Sequence, residues 1–153
     1  MDLPWQVQVA DAALALALLV SVVTDLRSRL ILNAVTLPAL AVVLICFFWV
    51  GGVEQLFNCL IGLAICALPL LLASWKGWMG AGDVKLMAVA GAASGWPAAA
   101  AVLLLVSVAG GVQALLWILA ARLRGEERPK YVPYGLAIAV GTAAAFFWGD
   151  QLF

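Results

Sequence analysis

The sequence predicts an all-α, polytopic membrane protein of about six transmembrane helices, on three observations. Apolar residues make up 67% of the 153 positions and charged residues only 10%, whereas a soluble domain keeps about a quarter of its residues charged. The apolar residues fall into long runs separated by short polar loops. All eight cations sit in three of those loops or at their edges: Arg27 and Arg29; Lys76 and Lys85; and Arg122, Arg124, Arg128 and Lys130. Almost nothing lies outside the runs and their loops, so residues 1–153 are expected to form one transmembrane domain.

A bilayer core about 30 Å thick needs roughly 20 apolar residues per helix, and a backbone in lipid must satisfy its own hydrogen bonds, which makes each run helical. The segments are residues 7–24, 33–50, 53–75, 84–95, 97–121 and 132–148. The first carries Asp2 and Asp11 at its start rather than a basic stretch, and no small-residue cleavage motif follows, so it reads as a span and not as a cleaved signal. The fourth is short for a span, and charge decides its reading. Cytoplasmic loops collect Lys and Arg, and only six crossings bring all three basic clusters to one side. A re-entrant fourth segment would send Arg122 and Arg124 outward. The fourth segment is therefore expected to cross, extended backward through Trp78 and Met79 or shielded by its neighbours. Both ends of the chain then face outward, with Asp2, Glu54 and Asp150 in the cation-free tails and loop.

Small residues along the last three segments (Gly91, Gly110, Gly111, Gly135 and Gly141 among them) suit close helix packing. Trp5, Trp49, Trp75, Trp78, Trp96 and Trp148 stand near segment ends, as in an interfacial aromatic belt. Cys46, Cys59 and Cys66 form no CxxC pair and read as small buried hydrophobes. Histidine is absent. That removes Ser-His and Cys-His nucleophile pairs and the common zinc sites. No metal, no cofactor and no nucleic-acid partner is implied.

What remains is a pair of carboxylates. Asp25 closes the first segment just before Arg27 and Arg29, and Asp83 follows Gly80-Ala81-Gly82 and opens the fourth. A single boundary aspartate is usually solvated or paired, and Asp83 alone reads equally well as a helix cap. Both belong to the same side at similar depth, however. Two neighbouring carboxylates cannot both ionise cheaply, so one keeps a proton while the other stays charged. The charged one can take a proton from water, and the protonated one can donate to a developing oxyanion. Gly80 and Gly82 are expected to give the loop tight or left-handed conformations and to let a substrate backbone approach.

These residues resemble a family. Gly80-Ala81-Gly82-Asp83-Val84-Lys85-Leu86 looks like the GxGD-x-K-L signature of type IV prepilin peptidases. The run from Thr24 through Asp25, Arg27 and Arg29 to Asn33 resembles that family's D-[LI]-R-x-R-x-I-P-N segment, with Leu32 where proline is usual. Pro133-Tyr134-Gly135 resembles a P-[YF]-G-x-A block. The compact length resembles the short Tad/Flp (CpaA-like) branch. The resemblance implies a GxGD aspartic-protease-like bundle in the bacterial inner membrane, with Asp25 and Asp83 as the catalytic pair, cutting the leader of prepilins and pseudopilins at the cytoplasmic face. Gly80, Gly82, Lys85, Arg27, Asn33, Pro133, Tyr134 and Gly135 are carried over as motif or substrate-binding positions. Longer relatives add a cysteine-rich loop and N-methylation; neither that loop nor a cofactor motif is recognisable here.

The other polar residues read more plainly. Lys85 is expected to snorkel, Arg27 and Arg29 to anchor topology, and Gln113, Ser107 and Thr142 to hydrogen-bond between helices. Asp11 lies too far along the first helix to join Asp25. A proton-coupled transporter or channel would also keep carboxylates in a membrane, and a Ser74–Lys76 peptidase is a second alternative.

Overall fold

The computed structural model describes residues 4–125 and 133–152. The readings made on Asp2, Arg128, Lys130 and Val132 lie outside the described residues. Regular structure among those described is entirely helical: α1 (Trp5–Ser28), α2 (Asn33–Trp75), α3 (Ala81–Ser94), α4 (Ala98–Leu123) and α5 (Gly135–Leu152). Of these, α1, α2 and α4 are long and apolar enough to cross a membrane, while the apolar part of α5 is shorter.

The second and third expected segments are the two arms of α2. The break falls at Gly51 (φ −138°, ψ 17°) and Gly52 (φ 61°, ψ −143°), both outside helical geometry. The positive φ at Gly52 is one that a side chain would resist. The helical segments then run alternately up and down. Trp5 at the start of α1 and Trp49 at the end of the first arm line one cavity. At the other end of that arm, Asn33 meets Lys85 at the start of α3. Asn58, early in the second arm, accepts a hydrogen bond from the Trp96 N–H just beyond α3. Finally, the Gly135 N–H that opens α5 reaches Asp25 near the end of α1.

Helix α3 is the middle of the bundle. Ten of its fourteen residues are buried, which explains how so short a helix persists: its neighbours sheathe it. The alternative of a backward extension fails, because Trp78 and Met79 precede the helix start at Ala81. Contact with the second arm of α2 is backbone to backbone. A Cβ on Gly91 would strike the Gly62 carbonyl oxygen and come within 2.7 Å of the Cys66 Cβ. Cys66 in turn donates its S–H to the Ala99 carbonyl at 3.3 Å, tying α2 to α4. All three cysteines are buried and free, as expected of small hydrophobes.

The outer surface of the bundle is apolar. Leu16, Leu19, Phe57, Leu72, Leu104, Leu115 and Phe147 are all exposed, on a scale that water would not tolerate. The tryptophans at helix ends are exposed too, Trp75 most of all at 88%, in keeping with an interfacial belt.

Candidate active site

The basic residues described gather at one end of the bundle with both aspartates. Arg27 lies in the last turn of α1 and Arg122 in the last turn of α4. Lys76 caps α2, and Lys85 follows Asp83 in α3. Arg27 and Arg29 are exposed, and Arg29 takes a left-handed conformation (φ 55°, ψ 34°) that ends α1.

Asp25 is not at the helix end, as its sequence context suggested, but three residues before it, and it is buried (7% exposed). Its Oδ2 accepts a hydrogen bond from the Gly135 N–H at 2.8 Å. The first N–H groups of a helix have no partner within it, so Asp25 caps α5 from a different helix, where the helix dipole suits a carboxylate. Gly135 must be glycine for this approach: a Cβ there would stand 2.8 Å from Asp25 Oδ2 and 3.1 Å from its Cβ.

Asp83 is buried as well, at 9% exposure. The cap of α3 is Gly80, and Asp83 is the third residue of the helix, its N–H donating to the Gly80 carbonyl at 3.2 Å. Asp83 therefore lies in the first turn and is not the cap itself. Asp25 and Asp83 thus lie at the same end of the bundle, on helices α1 and α3 that pack against each other.

The glycines beside Asp83 do not adopt the left-handed conformation expected of them. Gly80 is extended (φ −72°, ψ 142°), and Gly82 lies within α3, so neither supplies a left-handed turn. They supply room. A Cβ on Gly82 would sit 2.7 Å from the Ile31 Cβ, and one on Gly80 would sit 3.2 Å from Asp83 Oδ2. The loop after α1 can thus lie directly on the first turn of α3. Lys85 secures the same junction, donating from Nζ to Asn33 Oδ1 at 2.7 Å. It is tethered across helices rather than simply snorkelling. This bond joins two of the motifs noted in the sequence, with Asp25 on one side and Asp83 on the other.

The third motif joins from α4. Gln113, buried, donates from Nε2 to the Pro133 carbonyl at 2.6 Å, and Gly110 packs against the Tyr134 ring, where a Cβ would meet Cε1 at 2.8 Å. Pro133 and Gly135 are buried and Tyr134 is half-buried. Gln113 thus does bond between elements, but its companions do not. Ser107 bonds its own helix, at the Leu103 carbonyl (2.7 Å), and the buried Thr142 and Ser21 hydroxyls have no partner among the described residues. No group of three or more metal-ligating side chains occurs among the described residues.

Residues 12–115 match the Type IV leader peptidase family. The chain belongs to this family. It is 36% identical over 135 residues to a prepilin leader peptidase/N-methyltransferase of Aeromonas hydrophila, covering 84% of this chain and 45% of that protein. Proteins of the same description from Pseudomonas aeruginosa (33% identity, 97% of this chain, 52% of the relative) and Legionella pneumophila (29%, 97% and 53%) are similar along nearly the whole chain. The chain spans about half the length of the curated relatives it matches. No solved structure matches it. The matched family region contains Asp25, Asp83 and Gln113 and stops before Pro133-Tyr134-Gly135.

The contact between Gly82 and Ile31 gives a test that needs no assay of activity. Gly82→Ala forces Ile31 and its loop off α3 and should destabilise the protein by about 1–3 kcal/mol, as overpacking does. Gly111→Ala, whose Cβ enters open space, should be neutral or stabilise by about 0.4–1 kcal/mol. Thermal unfolding in detergent distinguishes them, and equal midpoints would refute the tight loop–helix contact.

Proposed function

We propose that this protein is a membrane aspartic endopeptidase that removes the leader of prepilins or pseudopilins of the Flp type. The observation that carries this reading is a pair of buried carboxylates, Asp25 and Asp83, on two packed helices at one end of the bundle, within a family of leader peptidases. The relatives, prepilin leader peptidase/N-methyltransferases, support the substrate class.

Asp25 takes the part of the base. It already accepts one fixed N–H from Gly135, which matches an acceptor-only carboxylate. It draws a proton from a water, whose oxygen attacks the scissile carbonyl carbon, while Asp83 gives its proton to the carbonyl oxygen. The tetrahedral species then collapses: its C–N bond breaks, the nitrogen leaves with the proton Asp25 took up, and a hydroxyl proton returns to Asp83. Both carboxyls end as they began, and no other group is consumed. Such proton transfers contribute about 10²–10⁴-fold each. Asp25→Asn or Asp83→Asn should therefore lower cleavage of a co-expressed prepilin by about that factor while membrane insertion persists. Near-normal processing by either variant would remove that aspartate from the reaction.

The reading places the site at the cytoplasmic face of the inner membrane, with six crossings (the two arms of α2 counted separately), the start of α1 and the end of α5 outside. Lys and Arg at the Asp25–Asp83 end support it. A cysteine at Ser28 should label only from the cytoplasm and one at Glu54 only from outside. Labelling of both from one side would overturn the orientation.

A further inference from the structure

Gln113 is an amide buried in an otherwise apolar helix, and its bond leads directly to the base. Its Nε2 donates to the Pro133 carbonyl at 2.6 Å, while its Oε1 is buried with no partner among the described residues. Only the NH₂ end of an amide can donate to a carbonyl, so this orientation is fixed. An unpartnered buried oxygen carries a penalty, which the α4 side accepts in order to hold Pro133. The Pro133 carbonyl and the Gly135 N–H belong to consecutive peptide planes, separated only by the two soft torsions of Tyr134. The Tyr134 ring is itself pressed on Gly110 of the same α4. The bonded first plane and the seated ring hold one torsion of Tyr134; the second plane is held at its carbonyl, which accepts the Ile138 N–H at 3.0 Å, and its N–H points at Asp25 Oδ2 at 2.8 Å.

We infer that Gln113 is a positioning residue for the reaction: through Pro133 it aims the Gly135 N–H and so fixes the orientation of the Asp25 carboxylate. The inference rests on the peptidase reading for its kinetic consequence but not for its structural one. Gln113 touches neither Asp25 nor any reacting atom. Its loss should leave substrate binding intact and slow the chemical step.

The test labels the full-length protein in detergent with ¹³C-carbonyl tyrosine and ¹⁵N-glycine. Tyr134-Gly135 is the only Tyr-Gly pair in the chain, so one resonance reports the Gly135 amide. Gln113→Met keeps length and removes the donor. The Gly135 amide proton should move upfield, in the direction that an Asp25→Asn reference moves it, while the glycine amides remote from Gln113 stay in place. With a purified prepilin as substrate, kcat should fall about tenfold or more, the scale of weakening one hydrogen bond to a charged group, with KM unchanged. If Gln113→Met does not fold, the same measurements are made on Gln113→Asn, which stays polar but is too short to reach Pro133. An unmoved Gly135 resonance, or an unchanged kcat, in whichever variant folds overturns the inference. Should the wild type fail to cleave any prepilin, the peptidase reading falls and the Gly135 resonance alone decides the role of Gln113.

Discussion

How closely α3 lies against its neighbours governs the rest of this molecule. Helices in lipid gain little from hiding apolar surface from one another, so packing distance and interhelical hydrogen bonds set their arrangement. Here Gly91 admits the Gly62 carbonyl, and Gly82 admits Ile31. With α3 seated so deeply, its first turn meets the loop after α1, and Asp83 reaches the depth of Asp25. Larger residues at these two glycines would hold the carboxylates apart without touching either of them.

The charged end is then closed by bonds that each cross between elements. Lys85 joins α3 to Asn33 at the start of α2, Gly135 joins α5 to Asp25 on α1, and Gln113 joins α4 to Pro133. In this way every helix contributes to the surroundings of two aspartates, although only α1 and α3 carry them. The two carboxyls differ in their partners. Asp25 faces the N–H of Gly135 on another helix. Asp83 sits in the first turn of α3 behind an extended glycine, its N–H bonded to the Gly80 carbonyl and its carboxyl against Gly80.

Much of this was legible in the sequence, for reasons specific to each feature. The helices were visible because apolar runs in a nearly uncharged chain permit little else, and the second and third segments were bounded at Val50 and Val53, on either side of the break in α2. The depth match of Asp25 and Asp83 followed from the positions of the cations. What the sequence did not reveal was tertiary. Nothing local says that the Gly135 N–H bonds a carboxylate 110 positions earlier, or that Lys85 finds Asn33. The left-handed turn expected at Gly80 and Gly82, where glycine suggests backbone freedom first, is absent: here the backbone is ordinary and the two glycines make room for Asp83 and Ile31. Gln113 offered one clue, a solitary amide in an apolar helix, but the same clue attached to Ser107 and Thr142, which bond only their own helix or no group among the described residues.

The account stands or falls on the nearness of Asp25 and Asp83 in the membrane. Cysteines placed at these two positions, with Cys46, Cys59 and Cys66 replaced by alanine, should cross-link efficiently through a short flexible reagent in native membranes. Cysteines at 25 and 76, a pair from the same end of the bundle without that approach, should link far less. Failure of the 25–83 pair to link, while 25–76 links readily, would contradict the arrangement and remove the basis for a two-carboxylate mechanism.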